Sequence, residues 1–294
     1  MRTVGCAGVT QGLTPAGPGG IGAAGGATFL FAALPFPRQG RPRMLFLRSL
    51  VFNIAFFAWT TLVCVGGVWV LFCPRWGLLG MLTVYERGLS FLERTLIGLD
   101  YVVEGQEHLP AGGCFLVAAK HQSIWETTKL HRLLGDPGVI LKQELAWIPF
   151  WGWYARKSRA VFVNRGARGR ALPSLLAGAE RIKAEQRPLV IFPQGTRVAA
   201  GAYAPYKIGV GLIYERLQVP MIPMALNAGL FWPRHRFLKR PGLVTIRFLP
   251  PIPPGLPRDE AMRRLETELE AACERLSLVA GGPPTRKPGA CDPA

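Results

Sequence analysis

The feature that most constrains this chain is a stretch of 25 residues without a charged side chain, residues 49–73. As an α-helix it would extend roughly 37 Å, which exceeds the ~30 Å hydrocarbon core of a bilayer. A helix at the surface of a soluble domain keeps one polar face, whereas this stretch is apolar on every side. The sequence therefore predicts a segment that is embedded in a membrane.

Two modes of insertion fit this segment. One is a single membrane-spanning helix. The other is a helical hairpin that dips into one leaflet, because Gly66 and Gly67 could break the helix and apolar residues resume at Trp76. Basic residues flank both sides, so the usual bias of positive charge gives no orientation. Two basic flanks agree with a hairpin whose ends share one face of the membrane.

Net charge narrows the class of partner. The chain carries a formal charge of +17, with 49% apolar and 18% charged residues. This apolar content excludes a disordered chain, and the charge favours nucleic acid, anionic lipid or a phosphorylated substrate. Nucleic acid is the weakest of the three, since no binding motif is present and the apolar segment would stay unexplained. Six scattered cysteines form no metal-ligand spacing, so we expect no metal.

The chain divides into four parts. Residues 1–43 are rich in Gly, Ala and Pro, and we expect a disordered low-complexity extension. Residues 44–100 hold the membrane-embedded helical segment and a linker, residues 101–280 an α/β domain, and residues 281–294 a flexible tail. Met44 heads a more conventional opening, which makes it an alternative start of the natural chain.

From about Val102 onwards, short apolar runs alternate with helical patterns. Such alternation predicts an α/β fold: a mixed, largely parallel sheet flanked by helices, preceded here by the membrane-embedded helical segment. The predicted strands are 114–119, 138–141, 160–163, 188–192, 221–226 and 243–248, and the predicted helices are 126–134, 170–184, 208–217 and 258–276.

His121 is the first candidate catalytic residue. It follows the apolar run 115–119, and catalytic groups of α/β domains gather where strands end. Glu126 lies five residues further on; its carboxylate can accept a hydrogen bond from the His121 ring and leave the other nitrogen as a general base. Helix faces repeat at three and four residues, so the pair requires His121 to lie before the helix. A histidine and a glutamate without a joint role are the alternative.

The second candidate is the sequence Ile-Phe-Pro-Gln-Gly-Thr-Arg at residues 191–197. Backbone N–H groups of such a turn can face an anion, and Arg197 can bind phosphate bidentately; a surface turn with a solvated arginine is the alternative. Two other segments accompany it. Residues 161–165 are a strand that ends in Asn-Arg, and residues 219–224 are an apolar strand edged by prolines.

In their order and spacing, these four segments resemble the four motifs of the 1-acylglycerol-3-phosphate acyltransferase family. The resemblance covers roughly residues 102–276. It implies an enzyme that transfers a fatty acyl group from an acyl thioester to the sn-2 hydroxyl of lysophosphatidate, which forms phosphatidate. His121 would be the general base, and Glu126 would steady its imidazolium. The residues implied to hold the substrate phosphate are Arg165, Gly195, Thr196, Arg197 and Lys142.

Two positions depart from the family pattern. Glu126 stands where the first motif usually has Asp, which looks like a variant of bacterial members. Gln194 stands where the third motif usually has Glu. The amide keeps the shape and the acceptor oxygen but loses the charge, so Gln194 can still orient the acceptor, while the exact acceptor stays open.

The resemblance also implies partners and a location. The co-substrate would be acyl-CoA or acyl-ACP, with no other cofactor, and anionic membrane lipid would be a further partner. The location would be the inner membrane of a bacterium, with the catalytic domain on the cytoplasmic side. Two alternatives remain: an acyltransferase for another lyso-lipid acceptor, such as a lysophospholipid or lyso-aminolipid, and a non-catalytic lipid-binding membrane protein. The sequence gives no oligomeric state.

Overall fold

The structure is a computed structural model that describes residues 42–164, 166 and 171–285. All but the last two residues of the predicted N-terminal extension, and most of the predicted C-terminal tail, lie outside these residues. Arg165 also lies outside them.

A seven-stranded sheet forms the centre of the described chain, in the order β1-β7-β6-β2-β5-β3-β4. Every neighbouring pair is parallel except β6 and β7. The prediction of a mixed, largely parallel sheet is therefore confirmed. The strands are β1 (Leu99–Glu104), β2 (Leu116–Ala119), β3 (Gly138–Lys142), β4 (Val161–Val163), β5 (Leu189–Ile191), β6 (Met221–Leu226) and β7 (Gly242–Phe248).

Helices cover both faces of this sheet. On one face α5, α6 and α7 pack over Leu116 and Ala118 of β2, and on the other face α1, α2 and α3 pack near Val117 and Ala119. All residues of β2 and β6 are buried, as expected of central strands covered on both sides. The helices are α1 (Pro42–Gly66), α2 (Arg75–Leu92), α3 (Trp125–Leu134), α4 (Trp151–Lys157), α5 (Ala171–Ala184), α6 (Ile208–Leu217) and α7 (Arg258–Val279).

The sequence prediction missed two elements, β1 and α4. Strand β1 lies at one edge of the sheet; after the buried Leu99 its residues are half-buried or exposed, and Asp100 and Glu104 interrupt its apolar residues. An edge strand of this kind has no continuous apolar run, so the pattern of a buried strand does not predict it. Helix α4 has only seven residues, too few to show a helical period.

Helices α1 and α2 form an antiparallel hairpin, closed by a short 3-10 turn at Val68–Phe72. The indole of Trp59 donates to the carbonyl oxygen of Tyr85 at 3.0 Å, and near the open end Arg48 donates to the carbonyl oxygen of Leu96 at 2.7 Å. A later residue of α1 therefore contacts an earlier residue of the second arm, which is the pattern of an antiparallel pair.

Both ends of α1 are bonded to the α/β domain. At the N-terminal end, the backbone N–H of Lys239 donates to the Ser49 hydroxyl at 3.0 Å. At the C-terminal end, the Tyr154 hydroxyl donates to the Cys64 carbonyl at 2.7 Å. These contacts are 15 residues apart, or roughly 22 Å of helix. The helix therefore lies along the domain instead of projecting from it.

Candidate active site

His121 lies in the loop between β2 and α3, at the carboxyl end of a central strand. Its Nδ1 is 2.8 Å from Oε1 of Glu126. The same oxygen accepts the backbone N–H groups of Gln122 and Ser123, each at 2.8 Å. The chain after His121 therefore folds back over the first turn of α3, which is why a spacing of five residues brings the two side chains together.

This arrangement fixes the proton on the imidazole. Oε1 of Glu126 already accepts two backbone donors, so it is the acceptor toward His121 as well, and Nδ1 carries the hydrogen. Nε2 is then left with a free lone pair. The Glu126 side chain is fully buried and that of His121 is 16% exposed, so the carboxylate is shielded from water while the ring reaches the surface of the site.

The turn that contains Gln194 packs directly against this ring. Phe192 stacks on the imidazole, with ring centroids 4.0 Å apart, and the backbone N–H of Val198 donates to the carbonyl of His121 at 2.8 Å. The turn closes through the Gly195 N–H, which donates to the Phe192 carbonyl at 2.8 Å. Gly195 has φ of +66°, a left-handed conformation that glycine adopts without strain.

The side chain of Gln194 is buried within this turn. Neither the amide nitrogen nor the amide oxygen has a hydrogen-bond partner among the described residues, although both atoms are shielded from solvent. A buried amide without partners costs about 1–3 kcal/mol. Such a group is suited to a polar ligand that completes its hydrogen bonds.

A basic cavity of about 230 Å³ opens next to the turn. Phe56 and Phe57 of α1 line one side, and Arg197 and Arg234 are among the cationic residues on the other. The Arg234 guanidinium donates to the Arg197 carbonyl at 2.7 Å and lies 3.4 Å from the Thr196 hydroxyl. The cavity therefore combines an apolar wall from the hairpin with a cationic wall, as a lipid with an anionic headgroup requires.

Arg234 was not among the predicted site residues. Its contact with the turn 193–197 depends on a loop 37 residues further along the chain. Lys142 ends β3, which β5 separates from β2, so strand spacing puts it about 10 Å from the end of β2. The structure thus brings together His121, Glu126, Gln194, Gly195, Thr196 and Arg197, whereas Lys142 lies further along the same edge of the sheet and Arg165 lies outside the described residues.

A buried ion pair holds the strand end that carries His121. Both carboxylate oxygens of Glu270, in α7, lie 2.6 Å from the Lys120 ammonium, and the Tyr206 hydroxyl donates to one of them at 2.8 Å. Nothing in the sequence relates residues 150 positions apart, so this pair was not predicted.

Cys114 is not activated as a nucleophile. Burial raises the pKa of the Cys114 thiol, so it stays protonated near neutral pH. Across the described ranges, no three His, Cys, Asp or Glu side chains come together as metal ligands.

Comparison with known proteins agrees with this geometry. The acyltransferase family model matches residues 100–227, which contain His121 and the Gln194 turn. The crystal structure of the 1-acyl-sn-glycerophosphate acyltransferase PlsC from Thermotoga maritima superposes with a TM-score of 0.67 at 25% identity, over 79% of this chain and 97% of that chain. The fold and the site define an acyltransferase domain.

Sequence relatives refine this class. A putative 1-acyl-sn-glycerol-3-phosphate acyltransferase of Caenorhabditis elegans is 30% identical over 232 residues, which are 78% of this chain and 80% of the relative. The chain belongs to the 1-acyl-sn-glycerol-3-phosphate acyltransferase family. Enzymes of that name from Pseudomonas aeruginosa and Saccharomyces cerevisiae are 31% and 32% identical over 53% and 54% of this chain. The matched region spans 60% and 54% of those two relatives.

Proposed function

We propose that this protein is a 1-acyl-sn-glycerol-3-phosphate O-acyltransferase. The observation that carries the proposal is the hydrogen bond between His121 Nδ1 and Glu126, because it leaves Nε2 as a base, in a loop and turn whose neighbours Ile124 and Arg197 line a cationic cavity. The substrate would be lysophosphatidate and the product phosphatidate. The names and the fold of the relatives support this assignment.

The proposed reaction needs one base and no covalent enzyme intermediate. His121 Nε2 takes the proton from the sn-2 hydroxyl, and the hydroxyl oxygen attacks the thioester carbonyl carbon. As the carbon–sulfur bond breaks, the proton passes from the imidazolium to the leaving thiolate. Glu126 stabilises the imidazolium that exists between these two transfers.

Arg197 and Arg234 are proposed to hold the phosphate of the acceptor. Both line the cavity, and the contact between them orders one guanidinium against the turn that carries the other. Thr196 would add a hydroxyl, and Gly195, whose own N–H closes the turn, would shape the backbone that faces the phosphate. Lys142, at the same sheet edge, remains a further candidate, and so does Arg165, which lies outside the described residues. Gln194 would orient the glycerol hydroxyl, since its amide has no other partner among the described residues.

The acyl donor is proposed to be acyl-CoA or acyl-ACP, and no metal or further cofactor is proposed. Both donors are acidic, which suits a chain of net charge +17.

We propose a membrane location in which α1 lies in one leaflet. It is the one helix in the described ranges that is long and apolar enough to cross a bilayer, and only 17% of its most apolar window is buried in the protein. A spanning helix would leave the domain at one end, whereas this helix is bonded to the domain near both ends. The exposed face would thus lie in the membrane surface. A bacterial inner membrane, with the domain in the cytoplasm, is the proposed site.

The test is an acyl-transfer assay of the purified full chain in detergent. Wild type and His121→Ala are each given 1-acyl-sn-glycerol-3-phosphate with acyl-CoA and, separately, with acyl-ACP. The proposal expects phosphatidate from wild type with at least one donor. No product with either donor would overturn it. The neutral Gln194 favours a second candidate, transfer to another lysophospholipid, and the same assay with such acceptors measures it.

A further inference from the structure

An unusually large share of the tryptophans lies on the surface of the protein. The chain has eight tryptophans, and five of them are exposed. Tryptophan is ordinarily among the more buried residues, and single exposed apolar side chains are normal, whereas a contiguous group marks an interaction surface. The exposed tryptophans are Trp69, Trp76, Trp147, Trp151 and Trp153.

These five residues lie on two segments that touch each other. Trp69 lies in the turn of the α1–α2 hairpin and Trp76 at the start of α2, and the other three lie in residues 147–153, which include the start of α4. The Lys157 ammonium, at the end of α4, donates to the carbonyls of Leu71 and Cys73 in the hairpin turn. The tip of the hairpin and α4 are therefore one surface.

Phe150 lies between Trp147 and Trp151 in the sequence and packs against the hairpin. Phe150 has φ of +60°, which is rare for a residue other than glycine, and its ring packs with Val70 and Leu78 inside the hairpin. With Phe150 directed inward, Trp147 and Trp153 on either side of it are 73% and 44% exposed.

We propose that residues 147–153 form a second membrane contact, which seats the α4 end of the domain on an anionic lipid surface. The inference rests on the proposed function, in which α1 lies in the membrane. The exposed apolar face of α1 runs directly into this surface at the hairpin turn, so the two are continuous.

The chemistry of the surface selects the lipid interface as its occupant. An indole has an apolar body and one N–H donor, and tryptophan is enriched where hydrocarbon meets headgroups. A cation stands beside the indoles: the Arg156 guanidinium lies 5.3 Å from the Trp147 ring centroid and is exposed. A cation at this position favours anionic lipid.

The experiment compares two triple variants of the full chain. In one, Trp147, Trp151 and Trp153 are changed to Ser; in the other, the same residues are changed to Tyr, which keeps an aromatic ring with a polar tip. Binding is measured by flotation with vesicles of mixed phosphatidylcholine and phosphatidylglycerol, and acyl transfer is measured in detergent micelles. The Ser variant should bind vesicles on the order of tenfold more weakly, while the Tyr variant should bind like wild type.

Three outcomes would overturn the proposal. The first is vesicle binding of the Ser variant equal to that of wild type, and the second is an equal loss of vesicle binding in the Ser and Tyr variants. The third is a change of oligomeric mass without a change in vesicle binding, which would assign the surface to a second copy of the chain. Thermal melting of both variants checks that they fold. If wild type shows no acyl transfer in micelles, that result counts against the proposed function alone, because flotation measures membrane binding independently of activity.

Discussion

Glu126 binds His121 from the first turn of the helix that follows it, through an oxygen that two backbone N–H groups also bind. The carboxylate is therefore positioned by the loop itself, and His121 is positioned by the carboxylate. In the proposed mechanism this arrangement sets the tautomer of the base before substrate arrives. In that mechanism the contact would link the local fold of residues 121–126 directly to catalysis.

Replacement of Glu126 by Gln should separate charge from shape. The amide can still accept the backbone donors, but it cannot stabilise an imidazolium by charge. We expect kcat to fall by roughly 10²- to 10⁴-fold with little change in KM. Steady-state acyl-transfer kinetics measure this, with the exposed Glu144→Gln as a control. A variant that keeps wild-type kcat would remove Glu126 from the mechanism.

Gln194→Ala should reduce activity without a matching loss of stability. In the free protein the buried amide has no partner among the described residues, so its removal relieves a desolvation cost and offsets the small cavity left behind. We expect kcat/KM to fall by about 10- to 100-fold if one or two hydrogen bonds to the acceptor are lost. The Tm should stay at or above that of wild type. A large drop in Tm would instead indicate a structural role.

Arg234→Ala should weaken binding of the anionic acceptor. We expect the KM for lysophosphatidate to rise by roughly 10-fold, with a smaller effect on kcat, because a charge-assisted hydrogen bond to phosphate is worth about 1.5–3 kcal/mol. Arg240→Ala is the matched control, since Arg240 belongs to the same basic segment but does not line the cavity. Equal effects of the two substitutions on KM would mean that Arg234 contributes only to the overall positive charge and does not bind the phosphate.

Lys129→Met should destabilise the contact between the hairpin and α3. Lys129 is fully buried, 3.2 Å from a carboxylate oxygen of Glu86 and 2.9 Å from one of Glu93. Burial raises the pKa of Glu93, which the neighbouring ammonium opposes. Loss of the cation leaves two buried carboxylates together, and we expect about 3–5 kcal/mol less free energy of unfolding.

Urea denaturation of the full chain in detergent measures this change. Arg159→Met is the control, because Arg159 pairs with Glu185 while 60% exposed and should cost under about 1 kcal/mol. Similar effects of the two substitutions would contradict a special role for the buried cluster.

The sequence predicted those parts of the fold that depend on local pattern. The strand at β6 and the helix at α6 were predicted at their observed limits, 221–226 and 208–217. The first is a continuous apolar run, and the second is a largely apolar segment with Glu215 and Arg216 in its last turn, before the next strand. Strand β1 was not predicted, because its sequence has the pattern of a half-exposed edge strand.

Site residues that are close in the sequence could be predicted, whereas contacts between distant residues could not. His121 and Glu126 were found from neighbouring positions and from family resemblance, and the loop between them explains why their spacing works. The pairing of Lys120 with Glu270, and that of Arg234 with the turn at Arg197, result from the order of strands in the sheet. No local pattern encodes such contacts, so a single sequence could not predict them.

The assignment of His121 as the base is tested by the rate of phosphatidate formation by His121→Ala compared with wild type, in detergent with 1-acyl-sn-glycerol-3-phosphate and an acyl thioester. We expect turnover by wild type and a loss of at least roughly 10²-fold in the variant, with the folded state retained. Turnover of the variant at the wild-type rate would contradict the assignment of His121 as the base.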